Sequence, residues 1–142
     1  MILLDTDHVT MLKYPDGECG ARLVERLKAR PPDQVVAISI ITVEEQTRGW
    51  LAAIAKERQA RRQVLGYREL ARLFEYFRAF HIVLFDEPAA EQFDHLRAAK
   101  IRLGTMDLKI AAIALVNQAL LLSANRRDFE QVPGLRVENW LE

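Results

Sequence analysis

"VVAISIITVEEQ", residues 35–46, joins an apolar run directly to a helix-start pattern. The run lacks strict polar alternation, as expected of a parallel strand covered on both faces. Behind it, Thr42 and Glu45 have the capping-box spacing, with Thr42 as N-cap and Glu45 at the third helical position. Working outward, "ILL" (2–4), "IVLF" (82–85) and "ALLLS" (119–123) repeat the strand character, and "LRVEN" (135–139) carries a weaker version. Helices are expected at roughly 20–30, 42–62, 66–79, 88–102 and 106–118. Strands alternating with helical crossovers predict an α/β fold: a three-layer α/β/α sandwich around a central, mostly parallel sheet. The helices between the second and third strands form a long excursion on one side.

The 142 residues suit one domain, 1–142, with a substantial core. Twenty basic and twenty acidic residues cancel, which argues against an indiscriminate polyanion binder but allows a local basic rim. A single cysteine, Cys19, excludes an internal disulfide and any cysteine-based zinc cluster. There is no repeat or low-complexity tract. The opening "MILLDTDH" lacks the basic start of a secretory leader, and Asp5 breaks its apolar run. No run approaches membrane-spanning length, so no membrane association is expected and the compartment is expected to be the cytoplasm.

In open parallel sheets, ligands bind beyond the carboxyl ends of the strands. Asp5, Glu45 and Asp128 each fall just after an expected strand end. Asp107, in "GTMDLKIAA" (104–112), follows a helix instead, so its presence at that edge is an inference. Thr105 is the expected cap there, leaving Asp107 in the first turn; Asn125 to Asp128 has similar spacing. Singly, Glu45, Asp107 and Asp128 are explained by capping and by the helix dipole. Asp5 is not, because it ends a buried strand and Asp7 adds a second charge two residues on. Several carboxylates at one sheet edge would repel and raise one another's pKa values, which a cation relieves. Hard oxygen ligands suit Mg²⁺ or Mn²⁺, and such a site activates water and stabilises a phosphoryl transition state.

In order, "LLDTDH", "ISIITVEEQTRG", "GTMDLKIAAIAL" and "LLLSANRRDFEQVPGLRVENW" resemble the four acidic motifs of PIN-domain ribonucleases, and most closely VapC-type toxins of toxin–antitoxin pairs. The resemblance runs from residue 2 to residue 140. It implies a Mg²⁺- or Mn²⁺-dependent endoribonuclease in which Asp5 and Asp107 hold the metal, with Glu45 and Asp128 contributing directly or through water. It further implies that Ser123 and Asn125 orient those ligands. The implied partners are an RNA substrate, a VapB-like antitoxin seated on a hydrophobic groove between helices, and a second copy in a homodimer. Two positions depart from the family pattern. Glu44 stands where a small residue is usual, so either Glu44 or Glu45 faces the metal, and Asp7 replaces the common Asn or Ser. The helix containing "AIAKERQARRQ" is longer than in compact members.

Lys109, Arg126 and Arg127 neighbour the acids and are candidate RNA-phosphate contacts; ordinary solvated charge explains them as well. "KERQARRQ" (56–63) reads as a solvated helix face. His8, His81 and His95 have no metal-ligand spacing. Trp50, Tyr67, Phe74, Phe77 and Phe80 read as core or partner-interface residues. "DTDHV" also resembles the opening of haloacid-dehalogenase-like phosphatases, where Asp5 would be a nucleophile and Asp7 a general acid. That family usually has Gly where His8 stands, and "SANRRDF" fits its metal motif poorly. A third reading is a non-catalytic PIN-like RNA-binding or scaffold module, although a scaffold has no evident need for clustered carboxylates.

Overall fold

A computed structural model describes residues 1–142 and places all five apolar runs in one sheet. The strands are β1 (Ile2–Leu4), β2 (Val36–Ser39), β3 (His81–Val83), β4 (Leu120–Leu122) and β5 (Arg136–Glu138). Their spatial order is β3-β2-β1-β4-β5, and every pairing is parallel. Seven helices surround them: α1 (Thr6–Leu12), α2 (Glu18–Lys28), α3 (Ile40–Lys56), α4 (Ala60–Phe77), α5 (Glu87–Ala98), α6 (Thr105–Val116) and α7 (Arg126–Phe129).

Side chains alternate across the sheet, so consecutive apolar residues feed two separate cores. Leu3, Ala37 and Leu121 face a core completed by Phe93 and Leu96 of α5, most of α6, and Phe129 of α7. Ile2, Leu4, Ile38 and Leu122 face the other, with Val9 of α1, Leu23 of α2, Leu73 and Phe77 of α4, and Trp140. Each fully buried aliphatic side chain contributes roughly 1.5–3 kcal/mol. Because both faces are covered, helix α6 is apolar around much of its circumference, with Leu108 and Ile110–Ala114 all buried.

Helix α3 starts at Ile40, three residues earlier than the capping-box pattern predicts. Ser39, the last residue of β2, is the N-cap, and its hydroxyl accepts the Thr42 N–H at 3.2 Å. Thr42 is therefore inside the helix and Glu45 lies in its second turn, so the expected capping box does not form. At α6, Gly104 supplies the extended N-cap backbone and Thr105 is already helical; Asp107 is in the first turn as expected. Asn125 caps α7 by position, without a side-chain cap bond.

The expected single helix over 42–62 is broken at 57–59. Glu57 turns extended, and Gln63 Nε2 donates to the carbonyls of Ile54 (3.2 Å) and Glu57 (2.9 Å), satisfying the end of α3. Helices α3 and α4 then pack as a hairpin so close that a Cβ on Gly66 would meet Ile54 Cγ1 at 2.6 Å. Helix α1 was not among the expected helices; its N-cap is Asp5 itself.

Candidate active site

The chain leaves β1 toward β2 on one side, while β4 sits on β1's other side, so the β1–β4 junction is where strand order reverses. Crevices open at such points beyond the strand ends. Register sets the residues there: Leu4 pairs with Ile38 and with Leu122, which puts Asp5, Ser39 and Ser123 level along the carboxyl edge. The Ser123 hydroxyl accordingly donates to Asp5 Oδ2 at 2.7 Å, across 118 sequence positions. The Thr6 N–H donates to Oδ1 at 2.8 Å, so both Asp5 oxygens are held.

The other motif acids are linked to this point electrostatically. Asp5 is 6% exposed; burial, then the charge of Asp7, with a smaller push from Asp107, raises its pKa to about 7. Asp107 is raised by burial and by Asp128 and Asp7. Glu45 is raised by burial and by Asp107, while the Thr6 hydroxyl, donating at 3.5 Å, opposes the shift. Asp107 thus lies within electrostatic reach of Asp5, Glu45 and Asp128, despite following a helix rather than a strand. Of the Glu pair, Glu45 turns toward these acids, whereas Glu44 pairs with Arg48 at 2.7 Å.

The flanking residues divide. The Asn125 main-chain N–H donates to Ser123 Oγ at 3.0 Å, so it is the backbone of Asn125 that braces the serine. Lys109 holds its ammonium 5.6 Å from the centre of the Phe85 ring. Arg126 pairs with Glu130 at 2.7 Å, and Arg127 is exposed. Sequence reasoning missed the contribution of Thr6 and expected a structural or solvent role for His8, without its partners. Thr6 lies between Asp5 and Asp7 in the first motif, and its hydroxyl also meets that of Thr42 at 3.3 Å. His8 is fully buried.

A patch of hard oxygen donors in which burial, and then mutual repulsion, raises the pKa values of Asp5, Glu45 and Asp107 fits a small divalent cation. As the side chains lie, no three of them converge into a closed cage. The arrangement therefore suits an ion held by one or two carboxylates and completed by water, as Mg²⁺ and similar ions commonly are.

A parallel α/β/α sandwich with carboxylates at its strand-order reversal defines an α/β domain with an acidic crevice at its carboxyl edge. The chain belongs to the PIN domain family, whose members are nucleases: the family model matches residues 2–135. Among solved structures, it is similar to the DNA-bound VapBC of Salmonella typhimurium, at 25% identity over 99% of both chains and a TM-score of 0.73. It is also similar to a toxin–antitoxin complex from Klebsiella pneumoniae, at 25% identity over 99% of this chain and 98% of that one, TM-score 0.67. VapBC-1 from nontypeable Haemophilus influenzae shares the fold, at 22% identity over 100% of both chains, TM-score 0.73. No curated protein matches in sequence. No helix is long and apolar enough to cross a membrane.

Proposed function

We propose that residues 1–142 act as one metal-dependent endoribonuclease unit, the VapC-type toxin of a toxin–antitoxin pair, working in the cytoplasm. What supports this reading is that, beyond the carboxyl end of β1 in a PIN chain, Asp107 bears electrostatically on Asp5 and Glu45, and Asp128 bears on Asp107. Asp5 and Asp107 would hold a Mg²⁺ or Mn²⁺ ion most directly, Glu45 and Asp128 directly or through water, and the ion would supply Lewis acidity and an activated water. Ser123 and the Thr6 main chain fix the Asp5 oxygens. Glu45, with its proton affinity raised, is the group best suited to take a proton from the water that attacks phosphorus. The P–O bond to the leaving nucleoside then breaks, and its oxygen takes up a proton from solvent, to which Glu45 returns the one it took. Lys109, Arg126 and Arg127 are the proposed phosphate contacts, adding affinity without sequence choice.

The similar VapBC structures support an antitoxin partner. A groove of about 790 Å³ between α1, α3 and α4, lined by Leu12, Tyr14, Trp50, Leu65, Leu73 and Tyr76, is a suitable seat for its apolar segment. The same reading carries a homodimer, which light scattering of the purified chain tests. A phosphatase mechanism is disfavoured, because the PIN family model accounts for residues 2–135, including both Asp5 and "SANRRDF".

The test is cleavage of RNA by the purified protein in Mg²⁺ or Mn²⁺, with and without chelator, beside Asp5→Asn and Asp107→Asn. Cleavage that stops with chelator and with either variant supports the assignment. Cleavage that survives both variants overturns it, and metal binding without cleavage would favour a non-catalytic module.

A further inference from the structure

His8 lies in the first turn of α1 with no exposed surface, and both of its ring nitrogens are engaged. The Trp140 main-chain N–H donates to Nε2 at 3.1 Å, and Nδ1 sits 2.6 Å from Asp7 Oδ1. An N–H aimed at Nε2 finds a lone pair only if that nitrogen carries no proton. The ring proton is therefore on Nδ1 and is donated to Asp7. The other Asp7 oxygen receives the Ala124 N–H at 2.8 Å and, more weakly, the Ser123 hydroxyl at 3.4 Å.

Asp7 is thus gripped from two directions, by the chain leaving β4 and, through His8, by the C-terminal segment. Its side chain remains 32% exposed, and its charge bears on both Asp5 and Asp107. A carboxylate kept merely for local bonding would be satisfied by the Ala124 N–H alone. The second grip fixes which way its oxygens point.

We propose that Asp7 is a fifth working carboxylate of the site, and that His8 is its positioning residue, locked as the Nδ1–H form by the main chain of Trp140. The proposal rests on the nuclease reading. It adds to that reading a link from the C-terminal segment to the metal-holding edge.

Two substitutions separate positioning from packing. Asparagine at position 8 places its amide near the Nδ1 site, keeping a donor for Asp7 and losing the Trp140 contact. Glutamine reaches the Nε2 site, keeping an acceptor for Trp140 and losing Asp7. In the full-length protein, His8→Gln is expected to keep its melting temperature yet bind Mn²⁺ and cleave RNA roughly 10–100-fold less well. His8→Asn is expected to melt earlier while recovering Mn²⁺ affinity. Asp7→Asn, at a partly exposed position that endangers folding little, is expected to match the His8→Gln loss, and the double variant to be no worse than either. Nitrogen-15 NMR of the metal-free protein should show a proton on Nδ1 of His8 and none on Nε2.

An Nε2–H ring, or recovery by Gln rather than Asn, overturns the positioning role. Wild-type protein that binds Mn²⁺ and cleaves RNA while Asp7→Asn equals it overturns this proposal alone. Wild-type protein that does neither overturns the nuclease reading and this proposal with it.

Discussion

Leu4 and Asp5 are neighbours in the chain, and both are almost wholly buried. Leu4 is flanked by Ile38 and Leu122 in a dry core, and its burial stabilises the fold. Asp5 is one residue farther along, at the sheet's carboxyl edge, where burial and the charge of Asp7 hold it protonated to about pH 7. Within one peptide unit the design changes from stabilising the fold to storing repulsion. Such sites persist because function needs them, and the rest of the domain offsets their cost.

The sharpest way to separate the two regions is to damage each and watch a different property fail. Asp107→Asn should lower RNA cleavage by about 10²–10⁴-fold while leaving the circular dichroism spectrum and melting temperature close to wild type. Leu121→Ala should do the reverse. It removes a fully buried side chain from β4 and should cost about 2–5 kcal/mol in denaturant unfolding, with activity per folded molecule retained. If Leu121→Ala abolished activity without loss of stability, the division between core and edge would break down.

Asp5 tests the edge from the stability side. Folded Asp5 keeps its proton to about pH 7, whereas unfolded aspartate releases it near 3.8. The folded state therefore loses stability as pH rises between those values, and above about pH 7 the full cost is present. In chelator, Asp5→Asn should raise stability at pH 8 by roughly 1–3 kcal/mol, less whatever the altered bonds to Thr6 and Ser123 cost, and change little at pH 4. Urea unfolding at the two pH values measures this. A variant less stable than wild type at pH 8 would mean that Asp5's hydrogen bonds outweigh the repulsion.

The same contrast governs what was legible in the sequence. The central strands β1, β2 and β4 were readable because a strand largely buried on both faces is a short apolar run, whereas β5, an edge strand with Arg136 and Glu138 exposed, gave only a weak one; the four acids were readable because each stands at a motif position. The start of α3 was not, since Ile40 and Ile41 suit either a strand or a helix and only Ser39's cap bond decides. Nor was the turn at 57–59, which contains neither Gly nor Pro and is made by Gln63 reaching back to α3. Which Glu of the pair faces the acids depends on the phase of α3, which sets Glu45 beside Thr6 and leaves Glu44 to pair with the exposed Arg48. The His8 grip joins residues 132 positions apart through a main-chain N–H, which no side-chain pattern records.

The smallest test applies the comparison to two glycines of the α3–α4 hairpin. Gly49 faces open space, so Gly49→Ala should gain roughly 0.5–1 kcal/mol by removing glycine's excess unfolded-state freedom from a helix. Gly66 would gain the same, but its new Cβ meets Ile54 Cγ1 at 2.6 Å, and Ile54 is buried and cannot withdraw freely. Gly66→Ala should therefore lose about 1–2 kcal/mol net, as overpacked sites do. In an Ile54→Ala background the clash partner is gone, and the alanine at 66 should turn neutral or favourable, a coupling that a double-mutant cycle in urea reads directly. If Gly66→Ala stabilised the unaltered protein as much as Gly49→Ala does, the two helices would have room to separate, and the hairpin would be packed more loosely than either core face of the sheet.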